Sequence, residues 1–150
     1  MLTTGGLPLS THLRNANADS SARQRCSRSA LELNPANGWA AHARAHVYYE
    51  LGEDRESDRF LTNWRPKLPN GAQLHGHIAW HGAICALMLG DADRALAIFN
   101  ADLRPGHGEG PPLLVLTDAA ALLWRIELAV GSRDNDAWPL RDTTGWLRTV

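Results

Sequence analysis

Apolar residues recur along this chain at the three- and four-residue spacing of amphipathic helices, and groups of glycine and proline interrupt the pattern. The clearest interruptions are the connectors RPKLPNGAQ and RPGHGEGPP. Near the end of the chain, DAWPLRDTTGWL predicts a short helix interrupted by its proline. The main helices are predicted near residues 20–33, 38–51, 53–63, 74–89, 91–102 and 116–130.

Two of these segments repeat each other when Gly52 is aligned with Gly90. In AHVYYELGEDRESDRFL and AICALMLGDADRALAIF, small residues stand at matching places before and after the glycine, and a large apolar residue follows. Each copy predicts a helix, a tight turn with glycine in the left-handed conformation, and a second helix packed on the first. A weaker third copy places Gly131 after TDAAALLWRIELAV.

Repeated helical hairpins predict an all-α fold, a right-handed α-solenoid of about three such units. The length of 150 residues suits one domain with a substantial core. We expect an irregular segment over residues 1–18 and the repeat domain over residues 19–150. Because an open solenoid needs polar caps, and neither end of the chain has an evident one, a homodimer is also expected.

The repeat pattern resembles the tetratricopeptide repeat superfamily. The resemblance is carried by ALELNP and by Ala45, Tyr48, Gly52, Gly90, Ala95 and Phe99. Within that superfamily, ALELNPANGWAAHARAHVYYELG, HIAWHGAICALMLGD and LTDAAALLWRIEL are similar to the tetratricopeptide repeat protein 38 family, over roughly residues 22 to 140. Members of that family are longer, so the chain resembles only their C-terminal part. The resemblance implies architecture and adds little chemistry.

Composition excludes some functions. A formal net charge of -1 gives no basic face for nucleic acid. The N-terminal residues lack the pattern of a secretory signal, and no apolar run reaches the length of a membrane span. Cys26 and Cys85 do not form a disulfide framework. We therefore expect a cytoplasmic protein that binds neither nucleic acid nor membrane.

Two histidine pairs, each with four-residue spacing, are the main chemical signal. His42 and His46 lie on one predicted helix, and His77 and His81 on another. Residues four apart are about 40° apart around a helix, so each pair shares a face. If the first helices of successive repeats line one concave groove, as in tetratricopeptide arrays, their polar faces converge. Measured from the glycines, however, the two pairs are offset by most of a turn. The predicted groove residues are His42, His46, Tyr49, Glu50, His77, His81, Asp118 and Arg125.

Three interpretations of this groove remain open at the level of sequence. The histidines could ligate a divalent metal, with zinc, iron and manganese as candidates, although no H-E-x-x-H motif is present. They could hydrogen-bond to neighbouring helices and only hold the repeats together. They could also line a metal-free site in which His42 or His81 is a general acid/base and Arg125 anchors a carboxylate or phosphate.

Two classes of function follow. The first is a binding or scaffolding module whose groove holds a peptide, a protein partner or a small ligand, with no cofactor required. The second is a small metal-binding protein or histidine-dependent enzyme. Histidines in a peptide groove should titrate near their ordinary pKa, whereas a metal or catalytic site should hold several ring nitrogens within a few ångströms of one point.

Overall fold

The computed structural model describes residues 9–69, 71–104 and 111–131, with the backbone alone for residues 9–18. Every regular element within these ranges is helical, as the sequence predicts. The α-helices are α1 (Leu9–Leu33), α2 (Gly38–Leu51), α3 (Asp54–Trp64), α4 (His75–Met88), α5 (Ala92–Ile98) and α6 (Pro112–Val130), and short 3₁₀ and π-helical turns follow α3 and α5 at Arg65–Lys67 and Phe99–Leu103. The predicted terminal helix within DAWPLRDTTGWL lies outside the described residues.

Two helices begin earlier than predicted. The backbone is helical from Leu9, so α1 includes residues 9–18 of the segment that we expected to be irregular. No glycine or proline interrupts the chain between Pro8 and Pro35, which leaves nothing to break the helix. Similarly, α6 begins at Pro112 because proline suits the first turn of a helix, where its missing N–H is not needed.

Glycine closes the first helix of each hairpin in the predicted left-handed conformation. Gly52 has φ 69° and Gly90 has φ 83°. Behind Gly52, the N–H of Glu53 donates to the carbonyl of Tyr48, and behind Gly90 the N–H of Asp91 donates to Ala86. These bonds satisfy carbonyls that the end of a helix leaves free, and they reverse the chain into the next helix.

The left-handed turns predict a measurable cost for any side chain there. Gly90→Ala should lower the free energy of unfolding by roughly 1–2 kcal/mol, since an L-residue at this φ brings its Cβ against the backbone. Gly82→Ala is the matched control, because Gly82 is helical and its added Cβ would meet Arg65 Nη1 at 3.7 Å, an ordinary contact. Urea unfolding compares the two variants. Equal stability of both would contradict the role of the turn.

Helix α4, the first helix of the second hairpin, lies at the centre of the core. It is apolar around nearly its whole circumference, as expected of a helix with neighbours on several sides. One buried cluster joins α4 to α2 and α3, and includes Ala45, Leu61 and Ile78. The other joins α4 to α5 and α6 around Phe99 and Leu122. Small residues at the contacts let α4 pack closely against α2 and α3 on one side and α5 and α6 on the other.

Polar contacts connect successive helices outside the core. Arg94 on α5 pairs with Asp58 on α3 through its terminal nitrogens, at 2.9 and 3.2 Å. The indole N–H of Trp64, at the end of α3, donates to the carbonyl of Pro35 at 2.7 Å. None of the helices in the described ranges combines the length and the apolar character that crossing a bilayer requires.

Candidate metal centre

The four histidines of the two predicted pairs meet where α2 lies against α4. One ring nitrogen from each of His42, His46, His77 and His81 can be chosen so that all four lie within 4.8 Å of one another. The offset measured from the glycines does not keep the pairs apart. We call these four residues the histidine cluster.

The rings of the histidine cluster surround a common point. The centroids of His42 and His46 are 4.5 Å apart, and those of His77 and His81 are 5.0 Å apart. Across the helix–helix contact, His42 lies 4.8 Å from His77, and His46 lies 4.7 Å from His81. Each ring therefore has neighbours both on its own helix and on the opposite helix.

Hydrogen bonds between neutral rings cannot account for all of the close nitrogen–nitrogen contacts in the cluster. His42 Nε2 lies 2.9 Å from His46 Nε2 and 3.0 Å from His77 Nε2. A ring nitrogen of neutral imidazole carries either one proton or one lone pair. His42 Nε2 can therefore make only one well-directed hydrogen bond to another ring nitrogen. In one of its two close contacts, the nitrogens lie close together without such a bond.

His81 is the most deeply buried residue of the histidine cluster. It is 7% exposed, and among the residues that the structure describes none hydrogen-bonds to its Nε2. A buried polar atom without a partner costs about 1–3 kcal/mol. Native structures rarely leave such an atom without a reason, and a bound ion is one of the recognised reasons.

The surroundings keep three rings of the cluster, those of His42, His46 and His81, unprotonated near neutral pH. Burial, together with the positive charges that His46, His77 and His42 would carry, lowers the pKa of His81 to about 2. Burial followed by the charge of His46 lowers the pKa of His42 to about 4. The pKa of His46 is also lowered, chiefly by burial. Near neutral pH these rings therefore have free lone pairs, the form in which histidine binds metal.

A carboxylate lies behind the cluster. Asp118 on α6 is 7% exposed, and its Oδ2 is 2.7 Å from His77 Nδ1, on the side of the ring away from the Nε2 that faces His42. Because α6 begins at Pro112, Asp118 is inside the helix and does not serve as its N-cap. A carboxylate in this position is typical of the groups that orient metal-binding histidines.

The other three predicted groove residues lie apart from the cluster or beside it. Tyr49 is 61% exposed. Glu50 faces α1, where it accepts from Ser20 Oγ at 3.2 Å and from Arg23 at 2.8 Å. Arg125 lies over the ring of Trp80 with its guanidinium carbon 5.6 Å from the centroid. The structure thus brings five of the eight predicted residues together.

Trp80 is a neighbour of the cluster that is not among the predicted groove residues. Its ring lies nearly parallel to that of His77, at a centroid distance of 5.8 Å and an angle of 4°. The three-residue spacing from His77 is the sequence signal, since such residues share a helix face. Trp80 thereby limits how the His77 ring can turn.

A separate polar cleft lies away from the cluster. Its volume is about 420 Å³, and its lining includes Arg65, His75 and Arg94 but no member of the histidine cluster. Asp102 accepts from Arg65 at 2.5 Å and lies 3.2 Å from His75 Nε2. These charges neutralise one another, so the convergence of four lone pairs remains the stronger chemical signal. No sequence motif indicates this cleft, because its lining comes from two hairpins, with Arg65 after α3 and His75 and Arg94 on α4 and α5.

No protein-family model matches the chain, and no solved structure matches it. The chemistry of the candidate site therefore has to be inferred from its own residues and their geometry.

Proposed function

We propose that this protein binds one divalent metal ion of the zinc class through His42, His46, His77 and His81. The observation that carries the proposal is the convergence of four ring nitrogens around one point while the buried Nε2 of His81 has no hydrogen-bond partner among the described residues. A cation at that point would accept all four lone pairs at once, which hydrogen bonding between the rings does not achieve.

The spacing of the nitrogens suits such an ion. Zinc–nitrogen bonds of about 2.0–2.1 Å in a tetrahedron place the nitrogens about 3.3 Å apart. The close approaches at His42, 2.9 and 3.0 Å, are slightly shorter than this, and no two of the four ligand nitrogens are more than 4.8 Å apart, so tetrahedral ligation would need His42 to move slightly away from its neighbours and the wider pairs to move closer. That adjustment would also relieve the crowding of unprotonated nitrogens.

The donor set favours some metals over others. Imidazole suits zinc, copper, iron and nickel, whereas manganese prefers oxygen donors. Asp118 is engaged with the far side of His77, so the ligands closest to the shared point are all nitrogen. Among the ions expected from the sequence, zinc and iron fit better than manganese.

Four protein ligands suggest a structural role for the ion. A tetrahedral zinc site with four protein ligands is closed, while catalytic zinc sites keep a position for water or substrate. General acid/base catalysis also fits poorly, because it needs a pKa near the working pH, and the pKa values of His42 and His81 are lowered to about 4 and about 2. We therefore favour a metal that fastens two helices together over an enzyme.

The metal would then connect successive units of an α-solenoid. Each hairpin packs through its first helix on the next, α2 against α4 and α4 against α6, which is the neighbour relation of tetratricopeptide arrays. This pattern supports, as part of the proposal, a TPR-like solenoid in which the ion joins the first helices of two units, and the right-handed twist predicted from the sequence belongs to the same proposal. Buried metal contacts between repeats would stiffen an architecture held together by neighbours alone.

A binding module for a peptide or protein is the second candidate function. Trp39 on α2 and Trp124 on α6 are both exposed, and Trp39 lies edge-on to His42 at a centroid distance of 6.3 Å. Exposed aromatic residues beside a concave face are common anchors for a partner. This function is compatible with the metal, which would then hold the shape of the groove.

Metal titration of the chelator-treated protein tests the proposal. The wild type should bind one Zn²⁺ per chain, and the His42→Ala/His81→Ala double variant should bind it at least about 100-fold more weakly, because ligands matter more than the residues that orient them. His75→Ala is the matched control, since His75 bonds to Asp102 away from the cluster. Isothermal titration calorimetry and elemental analysis give affinity and stoichiometry.

The outcomes separate the interpretations. If the wild type binds no zinc, cobalt, copper, iron or nickel, the histidines only hold the helices together. If His75→Ala weakens binding as much as the double variant does, the ion lies elsewhere in the protein. Circular dichroism of each variant establishes that it is folded.

A further inference from the structure

The contact between His77 and Asp118 joins the histidine cluster to a third helix, α6. His42 and His46 come from α2, His77 and His81 from α4, and Asp118 from α6. The first turns of α6 are only loosely attached: Leu113 and Leu116 are exposed, Leu114 and Val115 are half-buried, and Asp118 is the first buried residue of the helix. The bond to His77 is thus a principal attachment of this end of α6.

The bond also determines which nitrogen of His77 carries the proton. A carboxylate can only accept a hydrogen bond, so the Nδ1–H of His77 must be the donor to Asp118 Oδ2, at 2.7 Å. In a neutral ring that leaves a lone pair on Nε2, the atom that faces His42. Of the two neutral tautomers, only this one can present a ligand to the centre of the cluster.

We propose that Asp118 is a positioning residue that holds His77 in its metal-binding tautomer. In this way it couples metal binding by the histidine cluster to the attachment of α6 to the rest of the fold. This inference rests on the proposed function. A metal on Nε2 withdraws electrons from the ring and strengthens the Nδ1–H donor, so the ion tightens the bond to Asp118. The coupling is reciprocal: the free energy that the bond to Asp118 contributes to metal binding equals the free energy that the metal contributes to the attachment of α6.

Matched aspartate variants separate this role from general stabilisation. Asp118→Asn preserves shape and can still accept a hydrogen bond, but it lacks the charge. It should weaken Zn²⁺ binding by about 10- to 100-fold, the usual effect of removing a group that orients a ligand. Asp102→Asn is the control, because Asp102 is likewise the carboxylate partner of a histidine, but of His75, which lies outside the cluster. It should change zinc affinity less than about twofold.

Two readouts report the mechanism in ways that a purely structural role would not. In metal-free wild-type protein at pH 8, ¹⁵N NMR of the imidazole nitrogens should find His77 protonated at Nδ1 and unprotonated at Nε2. Hydrogen exchange should then show that zinc protects the amides of residues 114–118 in the wild type, and protects them at least about tenfold less in Asp118→Asn.

Each outcome supports or overturns the inference. A proton on His77 Nε2 at pH 8, unchanged zinc affinity in Asp118→Asn, or zinc binding without added protection of residues 114–118 would overturn it, while the metal site itself stands. Absence of zinc binding by the wild type would remove the proposed function and this inference together. If Asp118→Asn proves unfolded, the tautomer of His77 and the hydrogen exchange of residues 114–118 in the wild type still test the inference.

Discussion

Zinc at a hundred times its dissociation constant is expected to stabilise the protein by about 2.7 kcal/mol, which corresponds to a rise of roughly 5–10 °C in melting temperature for a domain of this size. The reason is that the four ligands come from two separate helices, α2 and α4, and meet only in the folded chain. Folding creates the site, so the free energy of binding adds to the free energy of unfolding.

Thermal unfolding followed by circular dichroism measures this stabilisation. The metal-free protein is compared with protein containing zinc, and Mg²⁺ serves as an ionic control because it prefers oxygen ligands. The His42→Ala/His81→Ala variant should show no rise with zinc. A similar rise with Mg²⁺, or with zinc in that variant, would show that the cluster is not the source of the stabilisation.

Acid should destabilise the metal-free protein well before its carboxylates begin to titrate. The pKa of His81 is lowered from 6.5 to about 2 and that of His42 from 6.5 to about 4, while in the unfolded chain both return to about 6.5. Between these values the unfolded state binds more protons than the folded state, so stability rises with pH. The contribution is fully present above pH 6.5 and is lost as the pH falls below it.

The expected loss comes mainly from His81. A histidine that stays neutral in the fold but is protonated when unfolded contributes a slope of up to about 1.4 kcal/mol per pH unit. From pH 7 to pH 5 this amounts to roughly 2 kcal/mol for the buried His81, and His42 adds less than its full share because it is partly exposed and screened by solvent.

Urea unfolding at pH 7, 6 and 5 in the presence of a chelator tests the slope. His81→Leu should flatten the pH dependence, whatever its effect on stability at pH 7, because the ring that resists protonation is gone. His75→Ala should retain most of the slope, since His75 lies outside the cluster. A slope equal in the wild type and in His81→Leu would contradict the assignment.

The order of helices and turns was readable from the sequence because local chemistry decides it. Gly52 and Gly90 adopt the left-handed turns that the repeat predicts. The boundaries were less accurate, since α1 starts at Leu9 and α6 starts at Pro112, earlier than the apolar pattern indicates. The weakly patterned ends of these helices carry little apolar periodicity, so a prediction that depends on periodicity misses them.

The candidate site, too, was predictable from the sequence only in part. Four-residue spacing places His42 beside His46 on any α-helix, and His77 beside His81, so both pairs were predictable from helix geometry alone. Glu50 lies one turn beyond His46 on the same face of α2, yet it bonds to Arg23 on α1, whose position no local pattern gives. Asp102 meets His75 for a similar tertiary reason.

By itself the sequence determined that this is a helical protein with two histidine pairs on the first helices of successive hairpins. Tertiary structure decided that the pairs face each other, that His81 is buried, and that Asp118 reaches His77 from a third helix. The reason is physical: spacing along one helix is set by the backbone, within a few residues. The rotation and depth at which α2 and α4 meet are set by the packing of small residues along the whole contact.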